Sequence, residues 1–422
     1  MFYFGFFRLQ RQIIRFFKDR QRYFLCPIIS GEAIEETQEE HMKLIHLSDL
    51  HLGKRVNEFS MLEDQKYILD EIVKIIGEEQ ADGVLVAGDV YDKPVPSTEA
   101  VQLFDRFLNR LANRNLYTFV ISGNHDSAER LSFGNELMKE RRVYVSPVFQ
   151  KVPEPVVLQD EFGELCVYML PFVKPVHVRH VFGEQEEKGK ITSYNEAVKA
   201  VVQEMCVDEK KRNVILSHQF VTGAVRSESE EISVGGIDNV DASCFAGFDY
   251  VALGHIHGPQ HISREEVRYS GTPLKYSFSE SRHEKSVTVV ELREKGDMAI
   301  RTIPLVPLRD MREIKGAYEE LVSRKFYEEM NREDYLHITL TDEEDIPDAL
   351  NKLRVIYPNI MKMDYDNTRT RSSRTIEETK DVCRKSPMEL FGELYKMQNN
   401  QSLSEEQETF LKELIEKIWE DE

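Results

Sequence analysis

The residues able to do chemistry fall in five short polar clusters: Asp49 and His51 in SDLHLG, Asp89 and Asp92 in GDVYDK, Asn124, His125 and Asp126 in GNHDS, His218 in LSHQ, and His255 and His257 in GHIHG. Singly each is a weak signal. A lone D-x-H is more often a turn than a ligand pair, and a lone His after a strand is usually a hydrogen-bonded core or surface residue. Together they say more, because each cluster follows an apolar run of strand type: KLIHLS, GVLVAG, YTFVISG, NVILSH or DYVALGH. An oxygen or nitrogen donor therefore stands at the C-terminal end of every run, where open α/β sheets gather their sites. Carboxylate, amide and imidazole without thiolate favour hard to borderline divalent ions of octahedral habit, such as Mn, Mg or Fe, over structural zinc. Asp49, His51, Asp89, Asn124, His218, His255 and His257 are too many donors for one catalytic ion. Two ions roughly 3.5–4 Å apart that share a carboxylate use them all. Such a site hydrolyses phosphoesters.

The elements that must position these donors are legible in the apolar pattern. Leu62, Ile68, Ile72 and Ile75 recur at helical spacing within residues 61–80, and VQLFDRFLNRLAN does likewise. Strands buried on both faces with helices between them make a layered α/β domain. SVTVVEL and MAIRTIPLVPL read as antiparallel strands that complete the sheets, giving a domain over 42–308. Residues 309–367 form a small α/β module: a helix over 313–330, a strand at 335–340, a helical IPDALNKLRVIY and then NIMKMDYD. Residues 368–385 are a polar linker. The tail, 386–422, holds two amphipathic helices, the second opened by Ser404 and Gln407 in capping-box spacing.

Charge narrows the partners. The 422 residues carry 55 Lys+Arg against 75 Asp+Glu, a net charge of −20. An acidic chain does not hold a polyanion by its bulk field, so any phosphate chemistry must be local. The 5 cysteines lack CxxC spacing, which argues against a thiolate zinc site and a disulfide framework and fits a cytoplasmic setting. No run approaches the roughly 18 uncharged apolar residues of a membrane span, so a soluble chain with no membrane partner is expected. Residues 1–41 differ from the rest: Arg8, Arg11, Arg15, Lys18, Arg20 and Arg22 are interleaved with Phe. One reading is a basic amphipathic helix lying on anionic lipid. The preferred one is a non-native extension ahead of an initiator at Met42, since the segment lacks the apolar core and cleavage site of a secretory signal.

DLHLGKR, GDVYDK, GNHDS, LSHQ, GHIHG and SGTPLKYSFSES together resemble the calcineurin-like metallophosphoesterase superfamily, and within it the nuclease subunits of double-strand-break repair complexes. The resemblance runs from Met42 to the C-terminus. It implies a layered αββα sandwich with a small α/β capping domain and a helical tail. It implies one ion on Asp49, His51, Asp89 and His257 and a second on Asn124, His218 and His255, with Asp89 bridging. His125 is then no ligand: it faces the scissile phosphate, and Asp126 orients its ring. The resemblance further implies manganese-dependent exonuclease and endonuclease activity on DNA ends and hairpins. The partner is an SMC-like ATPase bound through 386–422, in a heterotetramer with two chains of each kind. A small-molecule phosphodiesterase or phosphatase of the same superfamily is the alternative. A scaffold with a degenerate site is disfavoured, because every ligand position is filled.

Other residues carry two readings each. Lys54, Arg55 and Arg130 flank ligand clusters and are either contacts to backbone phosphates or solvated surface charge. Lys275, Tyr276 and Phe278 in PLKYSF are substrate contacts or a packed strand edge. Asp92 either orients a ligand or caps a turn. His46, in mid-strand, reads as core.

Overall fold

The structure is a computed structural model and describes residues 41–183, 191–227, 229–230, 239–367 and 370, with 388, 391, 392, 395, 403, 404, 407–412 and 414 of the tail. The expectations for the N-terminal extension, the linker and most of the tail therefore lie outside the described residues. Among those described, no helix is long and apolar enough to cross a membrane.

The apolar runs form strands because they are buried on both faces, and they sort into two six-stranded sheets. In chain order the first half supplies β1 (Met42–Leu47), β2 (Gly83–Ala87), β3 (Tyr117–Ile121), β4 (Val143–Val145), β5 (Val156–Asp160) and β6 (Gly163–Leu170). The second half supplies β7 (Arg212–His218), β8 (Tyr250–Gly254), β9 (Gln260–Ile262), β10 (Arg264–Tyr269), β11 (Ser286–Leu292) and β12 (Met298–Pro304). One sheet runs β12-β11-β1-β2-β3-β4, the other β9-β10-β8-β7-β6-β5. β1, β2 and β3 are mutually parallel, as are β7 and β8, so the donor-bearing ends of each group point one way. The SVTVVEL and MAIRTIP strands pair antiparallel and close the first sheet beside β1.

Period-two alternation divides the apolar side chains between layers. Leu44, Leu85 and Phe119 of the first sheet meet Leu165, Val214, Leu216 and Ala252 of the second in a core between the sheets. On the opposite face Ile45, Val84, Val86 and Val120 pack on α1 (Leu62–Glu78) and α2 (Thr98–Ala112) through Ile68, Ile72, Phe104 and Phe107. Each such side chain contributes about 1.5–3 kcal/mol on burial. Ser97 starts α2 by accepting the Ala100 N–H, satisfying a donor the helix leaves open. The second sheet buries Ile215, Val251 and Leu253 against Ala197, Val198 and Val201 of α3 (Tyr194–Glu204). The layers are thus helix, sheet, sheet, helix.

A third sheet, β13 (Met311–Gly316), β14 (Tyr335–Leu340) and β15 (Ile360–Tyr365), is parallel throughout and has its own core of Leu321, Leu336, Ile338, Leu353 and Tyr357. Leu353 belongs to α4 (Ala349–Arg354). The helix expected over 313–330 is corrected here: its start is strand β13, followed by single helical turns at Tyr318–Leu321 and Arg324–Tyr327. Six consecutive register pairs with β14 decide the matter, a long-range gain that local helical propensity cannot report. At the junction with the larger sheets, Asp64 in the first turn of α1 is fully buried and accepts from Arg309 at 2.8 Å and from the Tyr335 hydroxyl at 2.7 Å.

Candidate metal centre

The segments after β1 and β2 run side by side because Asp49 N–H donates to Gly88 O at 3.1 Å and His51 N–H to Asp89 O at 2.9 Å. The two sheets are joined at the same place. His218 Nδ1–H donates to Ala87 O at 2.8 Å, and His255 N–H donates to the Asp49 carboxylate at 3.0 Å. Chain direction turns sharply after β1, β2 and β8, where a side chain is aimed inward. Accordingly Asp49, His51, Asp89 and His255 have φ of 51°, 44°, 46° and 101°, a region costly for residues with a Cβ. The glycines preceding the donors have a separate cause. A Cβ on Gly123 would stand 2.0 Å from Asp89 Oδ1, and one on Gly254 would stand 1.8 Å from Ala87 O. The donors are packed closely enough to exclude a methyl group.

All seven expected ligands converge. His51 Nε2 and His257 Nε2 are 3.2 Å apart. Asn124 Oδ1 lies 3.1 Å from His218 Nε2 and 3.0 Å from His255 Nδ1. Asp89 Oδ2 sits between the halves, 3.2 Å from His218 Nε2 and 3.8 Å from His51 Nε2. Three sets have ligand atoms all within 4.8 Å of one another: Asp49, His51 and His257; Asp49, Asp89 and His218; and His51, Asp89 and His125. Asp89 belongs to two of these sets. His218 spends its Nδ1 proton on a carbonyl, so in the neutral ring Nε2 is a lone pair facing an amide oxygen and a carboxylate. Acceptors facing acceptors require a cation between them, and the donor set fits a pair of divalent ions on this ground.

The electrostatics agree. Burial pushes the His51 imidazole well below its ordinary value and His255 down to about 3, helped by the neighbouring His218, so both are neutral and ready to ligate. Burial raises Asp49 to about 6. Burial alone would raise Asp89 too, but His218 and His51 hold its carboxyl far below the usual range. His218 is driven the other way: burial opposes its charge, yet Asp89 raises it to about 9. Without a metal, then, a proton on His218 supplies the positive charge that Asp89 demands, and ion binding must displace it.

Sequence reasoning missed the groups behind His257. Glu280, fully buried, has Oε1 3.2 Å from His257 Nδ1, and Ser229 Oγ is 2.8 Å from the same nitrogen. Lys285 Nζ, also buried, donates to Glu280 Oε2 at 2.6 Å and to His257 O at 2.9 Å. The His257 hydrogen bond and the Lys285 charge hold Glu280 far below the ordinary carboxylate range despite its burial. Glu230 Oε1 accepts the His257 N–H at 2.6 Å. Gln65 was also missed: its Oε1 accepts from Gly53 N–H at 2.9 Å, and its Nε2 donates to His51 O at 2.8 Å, clasping the loop that carries Asp49 and His51. The one available signal was Glu280, a carboxylate inside the hydroxyl-rich stretch SFSES; Gln65, among Glu63, Asp64 and Lys66, carried none.

The remaining site residues divide. His125 stands beside the cluster, its ring edge-on to His51 with centroids 4.9 Å apart. Its partner is corrected, however. His125 Nδ1–H donates to Asp92 O at 3.1 Å, while the Asp126 carboxylate is occupied by the main-chain N–H groups of Val90, Tyr91 and Gly123 at 2.9–3.0 Å. Asp126 clasps the turns after β2 and β3 and is not what orients the His125 ring. Asp92 instead has its carboxylate on Lys54 at 2.7 Å and within 3.9 Å of His51 Nδ1. Lys54 is thereby part-buried against the ligands. Arg55 and Arg130 are exposed and, among the described residues, reach main-chain oxygens, those of Glu58 and Pro94. Tyr276 is buried core, its hydroxyl donating to Leu50 O at 2.6 Å, and Lys275 binds Asp310 at 2.8 Å. His46 is buried as well, 2.9 Å from the Tyr250 hydroxyl.

Residues 42–259 match the family described as calcineurin-like phosphoesterase, and residues 307–399 match the one described as type 5 capsule protein repressor C-terminal domain. The SbcD subunit of the SbcCD nuclease of Staphylococcus epidermidis is 32% identical over 381 residues, covering 89% of this chain and 98% of the relative. This chain belongs to the SbcD family of calcineurin-like phosphoesterases. The same-named protein of Staphylococcus saprophyticus is 35% identical over 326 residues, 76% of this chain and 84% of that one. The chain is a metal-dependent phosphodiester hydrolase.

Proposed function

We propose that this chain is a two-metal DNA nuclease, acting as exonuclease and endonuclease on DNA ends and hairpins as the SbcD subunit of an SbcCD complex in DNA repair, recombination and replication. The observation that carries the reading is the cluster of facing acceptors at the confluence of five strand ends. In this reading Asp49, His51, Asp89 and His257 hold one ion. Asn124, His218 and His255 hold the other, with Asp89 between them. Manganese is the preferred metal, with Mg or Fe as alternatives. When bound, the pair supplies an activated water at neutral pH and charge neutralisation at the attacked phosphate.

The chain's own residues do the rest. His125 is fixed from both ends: its N–H donates to Asp89 Oδ1 at 2.9 Å and its Nδ1–H to Asp92 O, which leaves Nε2 for the substrate. Carrying a proton on Nε2 as well as Nδ1, it serves as general acid and gives the Nε2 proton to the leaving oxygen, an assistance of typically about 10²–10⁴ in rate. Asp126 keeps the turns beneath it closed, and Lys54 meets a neighbouring phosphate. The SMC-like ATPase SbcC binds through the helices of 386–422, in a complex of two nuclease and two ATPase chains. In this reading the chain works in the cytoplasm.

The test is to incubate the purified full chain with Mn and a single-stranded oligonucleotide, beside a simple aryl phosphodiester. Cutting of the oligonucleotide is expected. Hydrolysis of the aryl diester alone would favour a small-molecule phosphodiesterase, and inertness on both would favour a scaffold. Deleting 386–422 is expected to leave metal-dependent cutting of simple substrates and to abolish co-purification with the ATPase; an intact complex would refute the assignment of the tail.

A further inference from the structure

α2 and α3 each begin on a serine that caps them: Ser97 accepts the Ala100 N–H and Ser193 accepts the Glu196 N–H. α1 does not. Met61 stands at its cap position with no side-chain acceptor, and Ser60 Oγ reaches the Leu62 N–H only at 3.5 Å. A first turn without a local cap leaves its donors open and must be held by contacts made elsewhere. On one side the holder is the third sheet with the segment that leads into it. Arg309 donates to Asp64 at 2.8 Å and also pairs with Glu63, and the Tyr335 hydroxyl donates to Asp64 Oδ2 at 2.7 Å. The Phe59 ring packs edge-on against Tyr335 with centroids 5.9 Å apart. Asp64 is fully buried and its Oδ1 has no hydrogen-bond partner among the described residues, so its charge depends on this one set of contacts. On the other side the same turn grips the loop that carries Asp49 and His51. Gln65, the next residue, is buried; it accepts from Gly53 N–H at 2.9 Å and donates to His51 O at 2.8 Å and to the Tyr276 hydroxyl at 3.0 Å. Met61 N–H donates to Lys54 O at 3.1 Å and closes the far end of that loop. Asn124, His218 and His255 have no hydrogen bond to α1 among the described residues.

Adjacent residues of a helical turn share one backbone, so Asp64 and Gln65 do not move independently. Withdrawing Arg309 and Tyr335 would leave a buried carboxylate without its compensating charge, and a helix start that lacks a local cap answers by unwinding. Unwinding releases Gln65 from Gly53 and His51. We propose that Asp64 and Gln65 are positioning residues that couple the seating of the third sheet on α1 to the site of the ion assigned to Asp49, His51, Asp89 and His257, and leave the other ion's site alone. The inference rests on the two-metal reading and adds a control on one of its ions. Asp64 faces the third sheet and Gln65 faces the loop, so both act through other residues. A protein that draws the third sheet away from α1 then loosens one ion and spares the other, and by reciprocity filling that ion's site tightens the seat of the third sheet.

The test reads metal binding apart from cutting: Mn is titrated calorimetrically into the full chain with no DNA present. Gln65→Leu, close in size but without the amide, should weaken one of the two Mn sites about tenfold, as loss of a ligand's supporting contact does. Tyr335→Phe keeps the ring, removes only the hydroxyl on Asp64, and should weaken the same site about threefold, the net worth of a single hydrogen bond. Combined, the two should weaken it no more than Gln65→Leu alone, because the hydroxyl acts through the amide. Tyr357→Phe removes a hydroxyl that donates to Leu321 O at 2.7 Å within the third sheet's own core, and it should change neither site. Thermal midpoints recorded beside each titration separate loss of stability from loss of an ion. A Tyr335→Phe chain that melts lower but binds both ions as before would overturn the coupling. So would equal weakening of both sites, full additivity of the pair, or the same weakening in Tyr357→Phe. An unaltered chain that binds fewer than two Mn fails the two-metal reading itself, whereas one that binds two, with Tyr335→Phe binding both alike, fails the coupling alone.

Discussion

The two halves of the metal centre are built differently. His218 is oriented by a main-chain carbonyl, Ala87 O, which the sheet fixes and no substitution can delete. His257 is oriented by side chains: Glu280, Ser229 and the buried Lys285 that balances Glu280. A carboxylate behind an imidazole raises its basicity more than a carbonyl does. One half is therefore fixed by the fold alone, and the other is adjustable by sequence.

Four experiments press on that difference. Asp89 touches both halves, so Asp89→Ala should remove both ions and abolish turnover; retention of one ion by elemental analysis would break the bridging assignment. The His125 ring is assigned to neither ion, and its main-chain N–H bond to Asp89 survives truncation of the side chain. His125→Ala should lower kcat by about 10²–10⁴ with metal content near that of the unaltered chain, and loss of both metals would remove its catalytic role. Glu280→Gln should act on one half only, weakening one ion about 10–100-fold by calorimetric titration while the other binds as before. Equal weakening of both would show that the halves are not separable. The smallest effect concerns stability. Burial, with the charge of Arg268 adding to it, holds His46 down to about 3, so the folded chain refuses a proton that the unfolded chain accepts near 6.5. The stabilisation is complete above pH 6.5 and is lost as pH falls toward 3. Between pH 7 and 5 the loss should be about 2 kcal/mol. Urea unfolding at both pH values should register it, and His46→Gln should remove that part.

Much of this was legible from residue order. The strand runs and their terminal donors needed only period and spacing, because parallel strands buried on both faces are continuous in apolar character. What escaped was held by distant partners. β13 looked helical from Glu313 onward because its pairing with Tyr335–Leu340 is invisible locally. β5 escaped because it is the sheet edge, where exposure breaks the apolar run, and β6, whose run LCVYML is largely buried, escaped because no donor follows it. At the site, Glu280 and Lys285 are five residues apart in a polar stretch and read as surface until the fold buries both. The role given to Asp126 failed for a related reason. Adjacency to His125 suggested a side-chain pair, whereas three main-chain N–H groups from the neighbouring turns claim the carboxylate.

The left-handed turns at Asp49, His51, Asp89 and His255 have a further consequence. Each cost is of order 1–3 kcal/mol, and each would be relieved by a glycine that carries no donor. Folding and cutting thus pull these four positions in opposite directions. The strain at these four positions is thus a cost in stability that the scaffold bears for the sake of the donors it presents.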